Sequence, residues 1–191
     1  TRIEHYSDLA FGVTMSLIVN SILAFTVMEQ YVKVRDEKTR LVRRLELLSL
    51  TDDLTGLNNR RFLSASIDEE MRRAYETDSP LTLCILDIDH FKEINDTYGH
   101  EYGDEVLFNI AQIMKASFTE EELFGRYGGE EFLVLFPGKT PRQALPMVQA
   151  LGDHIRTHAW SHDKPVTISG GLSSYVKGIS YSNFIEAADK N

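Results

Sequence analysis

The run Leu81-Thr82-Leu83-Cys84-Ile85-Leu86-Asp87-Ile88 restricts the fold of this chain more than any other segment. It is short, and apolar residues occupy both its odd and its even positions, so neither face suits water. Such a run fits a central β-strand covered by other elements on both sides. Carboxylates close it. Alternation puts Asp87 and Asp89 on one face at the strand end, where oxygen ligands can collect a hard divalent cation. Cys84 is the single cysteine of the 191-residue chain. Its apolar neighbours predict a small buried hydrophobe, and alone it cannot close an intrachain disulfide, which suits a reducing compartment.

Around this strand the pattern alternates between helical and extended. A loop marked by Gly56, Asn58 and Asn59 precedes a helix carrying Phe62, Leu63, Ile67 and Met71, which stops at Asp78-Ser79-Pro80. After the strand, Phe91 to Asp104 reads as a polar loop with two glycines. It is no EF-hand, because Phe91 occupies the third ligand position and the turn glycine is missing. A helix with Val106, Leu107, Ile110, Ile113 and Met114 leads to two apolar stretches around Gly128-Gly129, the pattern of a β-hairpin. Glycines without Cβ let the backbone approach a bulky ligand, and Glu130 and Glu131 beside them can hold a metal. Two strand-terminal acids, Asp87 and Glu130, together with a glycine turn suit metal-assisted phosphoryl chemistry; a solvated acidic turn is the competing reading. Pro137, Pro141 and Pro146 mark a loop and a helix start. His154, His158 and His162 repeat at four-residue spacing without the intervening acid of a zinc protease motif, which predicts a solvated helix face. Trp160 is expected to pack.

From Leu9 to Met28, between Asp8 and Glu29, 20 residues carry no charge. At ~1.5 Å per residue they reach about the ~30 Å of a bilayer's hydrocarbon core, so residues 1–28 read as a transmembrane helix. A buried helix of a soluble sensor domain is the alternative. No secretory signal fits, because a basic leader and a small-residue cleavage pattern are both missing. Downstream, Lys33, Arg35, Lys38, Arg40, Arg43 and Arg44 outnumber Glu29, Asp36, Glu37 and Glu46. Positive charge marks the cytoplasmic side, so the C-terminal part is expected in the cytoplasm. Within residues 29–50 and just before them, Val27, Tyr31, Val34, Lys38, Leu41, Leu45 and Leu48 recur alternately at four and three residues. That is a heptad seam, read as a parallel two-stranded stalk in which Lys38 helps fix register. One amphipathic helix packing on its own domain is the alternative. The start at Thr1 and the stop at Asn191 read as cuts in a longer protein.

Charge narrows the function classes. The chain holds 29 acidic and 20 basic side chains, net −9, with a pI near 5.1. A nonspecific nucleic-acid binder meets its polyanion with a basic face, so no nucleic-acid partner is expected. A nucleotide neutralised by metal remains compatible.

Five motifs together resemble the GGDEF-family diguanylate cyclases. They are DDLTGLNNRRF (Asp52 to Phe62), DIDHFKEINDTYGHEYGD (Asp87 to Asp104), RYGGEEF (Arg126 to Phe132), VTISGGLSSY (Val166 to Tyr175) and EAAD (Glu186 to Asp189), in the family's order across Leu50 to Asn191. The resemblance implies an α/β (α+β) domain over residues 51–191. Its five-stranded, mainly antiparallel sheet, like that of polymerase palms and nucleotidyl cyclases, would be flanked by helices and preceded by the long N-terminal helix. It implies a magnesium- or manganese-dependent enzyme joining two GTP molecules into cyclic di-GMP with release of two pyrophosphates, across a homodimer; the charge-free stretch and its basic flank are what place that enzyme at a bacterial inner membrane. Carried over by position, it makes Asp87, the Ile88 carbonyl and Glu130 the metal set, with Glu130 also accepting the 3′-hydroxyl proton. Asn95 and Asp104 match the guanine-reading positions, His100 a further substrate contact, and Lys92 a position near the phosphates. Gly128 and Gly129 would let the chain pass close to GTP, and Glu131 takes a supporting role.

Two departures from the family matter. Its Arg-x-x-Asp product-inhibition site is replaced by Thr119-Glu120-Glu121-Glu122, which predicts no strong feedback through that patch. The family also continues into a helix whose Lys and Arg contact the triphosphate, so residues 51–191 are expected to lack the C-terminal end of the domain. The competing function is a catalytically silent GGDEF domain serving as a GTP-binding or protein-interaction module; the intact RYGGEEF and Asp87 speak against it.

Overall fold

The computed structural model describes residues 2–48, 50–162 and 164–189, in two units, Thr1–Ser49 and Leu50–Asn191. The first unit is one helix, α1 (Arg2–Leu48), with no break between the charge-free stretch and the heptad segment. Its hydroxyls bond their own backbone, Thr26 Oγ1 to the Ile22 carbonyl at 2.8 Å and Thr39 Oγ1 to the Arg35 carbonyl at 2.9 Å. Lys33 and Glu29 pair at 2.7 Å, one turn apart. Residues Met15–Arg40 are long and apolar enough to cross a membrane by length and composition. Heptad positions Val27, Tyr31 and Val34 are about 60% exposed. The side chains of Leu9 to Thr14, Ile18, Val19, Leu41, Leu45 and Leu48 lie outside the described residues.

The second unit runs β1 (Asn58–Asn59), α2 (Arg60–Thr77), β2 (Leu81–Ile88), α3 (Phe91–Tyr98), α4 (His100–Ser117), β3 (Leu123–Arg126), β4 (Glu131–Pro137), α5 (Pro141–Thr157), β5 (Ile168–Ser174) and α6 (Tyr181–Asp189). The sheet order is β1-β3-β4-β2-β5. Every pairing is antiparallel except β1 with β3, as the sequence led us to expect.

The apolar run of β2 explains the layering. Leu81, Leu83 and Ile85 face a core with Leu63 and Ile67 of α2 and Phe184 of α6. Cys84, Leu86 and Ile88 face a second core with Val106 and Ile110 of α4 and Leu151 of α5. Each fully buried side chain of this size stabilises by about 1.5–3 kcal/mol, so a charge at either parity between Leu81 and Leu86 would break one layer. Burial pushes the Cys84 thiol up to about 12, as its place in the interior requires.

Local signals set the helix ends. Asn59 caps α2, its side chain accepting from the Phe62 amide at 3.1 Å. Thr140 and Gln143 form a capping box at the start of α5, with Pro141 in its first turn and Pro146 inside the helix rather than at its start.

Two expectations are corrected. Phe91 to Asp104 is not a loop but α3 and the first turns of α4, meeting at Gly99 with φ 87°. Phe91, Ile94, Tyr98, Tyr102 and Val106 recur at three or four residues and supply the buried stripe that holds both helices. The histidine series is not one helix face either, because α5 ends at Thr157. His162 instead stacks on Tyr98 at 4.3 Å and meets Tyr102 edge-on at 4.5 Å. Trp160 packs, donating to the Ile155 carbonyl at 3.0 Å.

Candidate active site

The site lies at one end of the sheet, where β2 and β4 meet in acids. Asp87 on β2 is opposite Glu131 on β4 and opposite Ser169 on β5. Directly opposed residues of antiparallel strands project to one face, so Asp87 and Glu131 point together. With Ser169, Gly170, Gly171 and Asp189 they line a cleft of about 450 Å³. Glu130 stands in the turn just before β4.

The carboxylates interact. Burial, then Asp89 and Asp189, raise the pKa of Asp87. Burial, then Asp87 and Glu131, raise that of Glu130. Neither acid has a cationic partner among the described residues, so the cluster is electrostatically unbalanced. Asp89 shares this end of the sheet but is occupied, accepting from Thr167 Oγ1 at 2.5 Å and Ser169 Oγ at 2.6 Å. It braces the end of β2 against β5.

These residues fit magnesium in a limited way. Among the described residues no three His, Cys, Asp or Glu side chains converge to hold a metal by themselves. Magnesium rarely needs that: it keeps waters and binds through one or two carboxylates plus substrate phosphates. Two carboxylates with raised pKa values, hard oxygen donors and the neighbouring backbone of Ile88 agree with that mode.

The turn that carries Glu130 is clamped by a residue to which sequence reasoning gave no role. Arg126, at the end of β3, donates from Nη2 to the Gly129 carbonyl at 2.6 Å and from Nε to the Gly128 carbonyl at 3.2 Å. Its Nη1 bonds both Asp52 oxygens at 3.2 and 3.3 Å. Asp52 in turn accepts from the Thr55 amide at 2.9 Å and its hydroxyl at 2.7 Å. The acidic turn is thus fastened to the segment that opens the domain. A Cβ at Gly128 would come within 2.2 Å of Glu131 Oε2, the movable end of a flexible side chain, so a larger residue there would displace the Glu131 carboxylate; Gly129 borders open space.

The other expected substrate residues sit on the α3–α4 corner. Asn95 is half-buried on α3, and His100 and Asp104 are exposed on the first turns of α4. Gly103 lets the two helices close on Asn95: a Cβ at Gly103 would stand 1.9 Å from Asn95 Oδ1. Lys92 is exposed in the first turn of α3 and forms no ion pair among the described residues. Asp189, in the sequence only the last member of a motif, lines the cleft and acts on Asp87. At the replaced product site Glu122 is 4% exposed and turned inward, bonded by Lys139 Nζ at 2.9 Å and twice by Thr119.

Known proteins share this fold. The response regulator PleD of Caulobacter vibrioides is 39% identical over 132 residues, 66% of this chain and 29% of PleD. The chain therefore spans less than a third of that relative. Diguanylate cyclase SiaD of Pseudomonas aeruginosa, solved in complex with its activator SiaC, superposes with a TM-score of 0.71 at 34% identity, over 98% of this chain and 75% of SiaD. The coiled coil and GGDEF domain of DgcB from Caulobacter crescentus, solved in complex with c-di-GMP, gives 0.71 at 27% identity, over 86% of this chain and 91% of that one. The family described as diguanylate cyclase, GGDEF domain, matches residues 49–191, and the chain belongs to it.

Proposed function

We propose that the chain is the catalytic portion of a diguanylate cyclase, which joins two GTP molecules into cyclic di-GMP and releases two pyrophosphates. The observation that carries this reading is the pair Asp87 and Glu130, two uncompensated carboxylates at adjacent strand ends beside a glycine turn. Asp87, Glu130 and the Ile88 carbonyl would hold magnesium or manganese. Bound there, the metal supplies charge neutralisation on the phosphates and a lowered pKa for the attacking hydroxyl. Asn95 and Asp104 select guanine, an amide and a carboxylate meeting its donor and acceptor edge, with His100 as a further contact and Lys92 near the phosphates. Glu130 takes the proton of the ribose 3′-hydroxyl. The freed oxygen forms a bond to the α-phosphorus of the second GTP, the bond from that phosphorus to the bridging oxygen breaks, and pyrophosphate leaves. Repeating this on the other side closes the ring.

One domain holds one GTP, so two domains must face each other. The heptad seam of α1 supplies that pairing by raising the effective concentration of the catalytic domains. The apolar stretch that precedes it anchors the dimer in the bacterial inner membrane, with its basic flank toward the anionic cytoplasmic leaflet and the catalytic unit in the cytoplasm.

The test is Glu130→Gln, assayed with GTP and magnesium by quantifying cyclic di-GMP. Loss of a positioned general base and metal ligand is expected to lower turnover by at least ~10²–10⁴-fold, with the unfolding midpoint unchanged. Normal turnover by the variant would remove Glu130 from its assigned role.

A further inference from the structure

The end of β2 is tied to β5 further than to β4. The Asp89 amide donates to the Thr167 carbonyl at 3.0 Å, one step beyond the Ile88 and Ile168 pair that closes the β2–β5 ladder. On the other side the β2–β4 ladder has already stopped at Asp87 and Glu131. In a planar trans peptide the N–H and the carbonyl point in opposite directions. β2 lies between β4 and β5, so an Asp89 N–H held by β5 turns the Ile88 carbonyl away from β5, toward the β4 side. Glu130 stands on that side, just before its strand.

Asp89 holds that peptide with its side chain as well. Its Oδ2 accepts from Thr167 Oγ1 at 2.5 Å and its Oδ1 from Ser169 Oγ at 2.6 Å, so backbone and carboxylate together make a three-bond clasp. The clasp sits next to a point of strain. His90, the following residue, has φ 58°, a left-handed conformation that crowds the Cβ of any residue but glycine, and α3 begins directly after it. Such a conformation persists where the surrounding contacts over-determine it. By alternation alone Asp89 would join Asp87 as a metal ligand. The cleft is instead lined by Asp87, Glu131, Ser169 and Asp189, while the Asp89 carboxylate is turned to the two hydroxyls at the start of β5.

We propose that Asp89 is a positioning residue that, with Thr167, aims the Ile88 carbonyl at the metal and does not bind metal itself. The proposal rests on the cyclase reading for the metal at Asp87, Glu130 and that carbonyl. Once the clasp is opened, the Ile88–Asp89 peptide is free to rotate as His90 relaxes, and the site keeps its carboxylates but loses an aimed neutral oxygen. Geometry and charge are separable here. In Asp89→Asn the amide oxygen accepts from one hydroxyl and the amide N–H donates to the other, because a hydroxyl serves in either role. The same change removes the charge that a metal ligand would need.

The probe is manganese, titrated into the full chain with a non-hydrolysable GTP analogue and followed by electron paramagnetic resonance. Hydrogen exchange of the residue 89 amide in the metal-free protein is the second readout. Asp89→Ala is expected to weaken manganese binding about 10–100-fold, as for other outer partners of metal ligands. It should also speed exchange of that amide by about ten-fold or more, because the local opening becomes easier. Asp89→Asn should stay within about three-fold of the parent in both readouts, its two bonds being kept. Thr167→Val keeps the shape and loses the hydroxyl; it should weaken binding about three- to ten-fold, and Thr167→Ser should restore it, a comparison that holds should Asp89→Ala unfold. Manganese binding by Asp89→Asn as weak as in Asp89→Ala would make Asp89 a ligand or a bare charge and overturn the proposal. Weakened binding with unchanged amide exchange would also overturn it, since the peptide has then not moved. A parent that binds no manganese and forms no cyclic di-GMP removes the cyclase reading and the proposal with it. A parent that does both, with Asp89→Ala indistinguishable from it, removes the proposal alone.

Discussion

Arg126→Lys is the perturbation that separates position from charge at the catalytic turn. The guanidinium reaches three groups at once: the carbonyls of Gly128 and Gly129 and the carboxylate of Asp52. A lysine ammonium is a point donor on a flexible stem and can satisfy one of those directions. Hydrogen bonds to charged groups contribute about 1.5–3 kcal/mol each. The Arg126 and Asp52 side chains are 17% and 24% exposed, so water replaces part of what is lost. We expect a net loss of about 2–4 kcal/mol, which at a mid-range urea m-value of ~2 kcal/mol/M moves the midpoint by roughly 1–2 M. Trp160, the only tryptophan, reports the transition by fluorescence. Turnover should fall by about ten- to a hundred-fold, because the turn carrying Glu130 loosens and small misplacements of catalytic groups are costly. Pairing the change with Asp52→Asn in a double-mutant cycle isolates the bridge, with an expected coupling of about 1–2 kcal/mol. Burial alone would raise the Asp52 pKa, but the two Thr55 bonds and the Arg126 charge outweigh it and hold it below the ordinary value. Its contribution is therefore complete above the unfolded carboxylate pKa of ~3.9 and disappears as pH falls through the lowered folded value, a loss that Asp52→Asn should abolish. Additive single mutants, within ~0.3 kcal/mol, would refute the clamp. Lost stability with full turnover would refute its connection to Glu130.

Gly103→Ala places a Cβ 1.9 Å from Asn95 Oδ1 and 3.3 Å from Phe91 Cζ, so Asn95 must swing out of the α3–α4 corner. The KM for GTP should rise about ten-fold or more, with preference over other purine triphosphates reduced and stability lowered by ~1–3 kcal/mol as for other overpacked sites; an unchanged KM would detach Asn95 from base recognition. Lys139→Met leaves Glu122 buried with only its Thr119 bonds, and should cost about 2–3 kcal/mol, less than the ~3–5 kcal/mol of a fully buried pair because Lys139 remains 23% exposed. For Glu122, burial raises the pKa but the Lys139 and Thr119 bonds lower it further. The penalty of Lys139→Met should therefore be present at neutral pH and shrink as acid protonates the carboxylate, which urea unfolding at pH 7 and pH 3 will show.

Some of this was written in the sequence and some was not, and the division follows the range of the forces involved. Leu81 to Leu86 announces a two-sided strand because burial on each face is a property of each residue, independent of which helix covers it. The acids are equally legible: Asp87 and Glu130 bring negative charge to strand ends, neither forms an ion pair among the described residues, and an imbalance of that kind implies something from outside the chain. β5 is obscure because Ser169, Gly170 and Gly171 carry no strand pattern; they are extended only because Asp87, Leu86 and Ile85 pair with them. The α3–α4 corner misleads for the opposite reason, its three-and-four apolar stripe being diluted by polar residues and interrupted by Gly99. Arg126 could not have been assigned from sequence at all. It finds its carboxylate 74 positions away. An unbalanced carboxylate is visible in one segment, whereas a cation's task depends on which distant groups the fold brings to it.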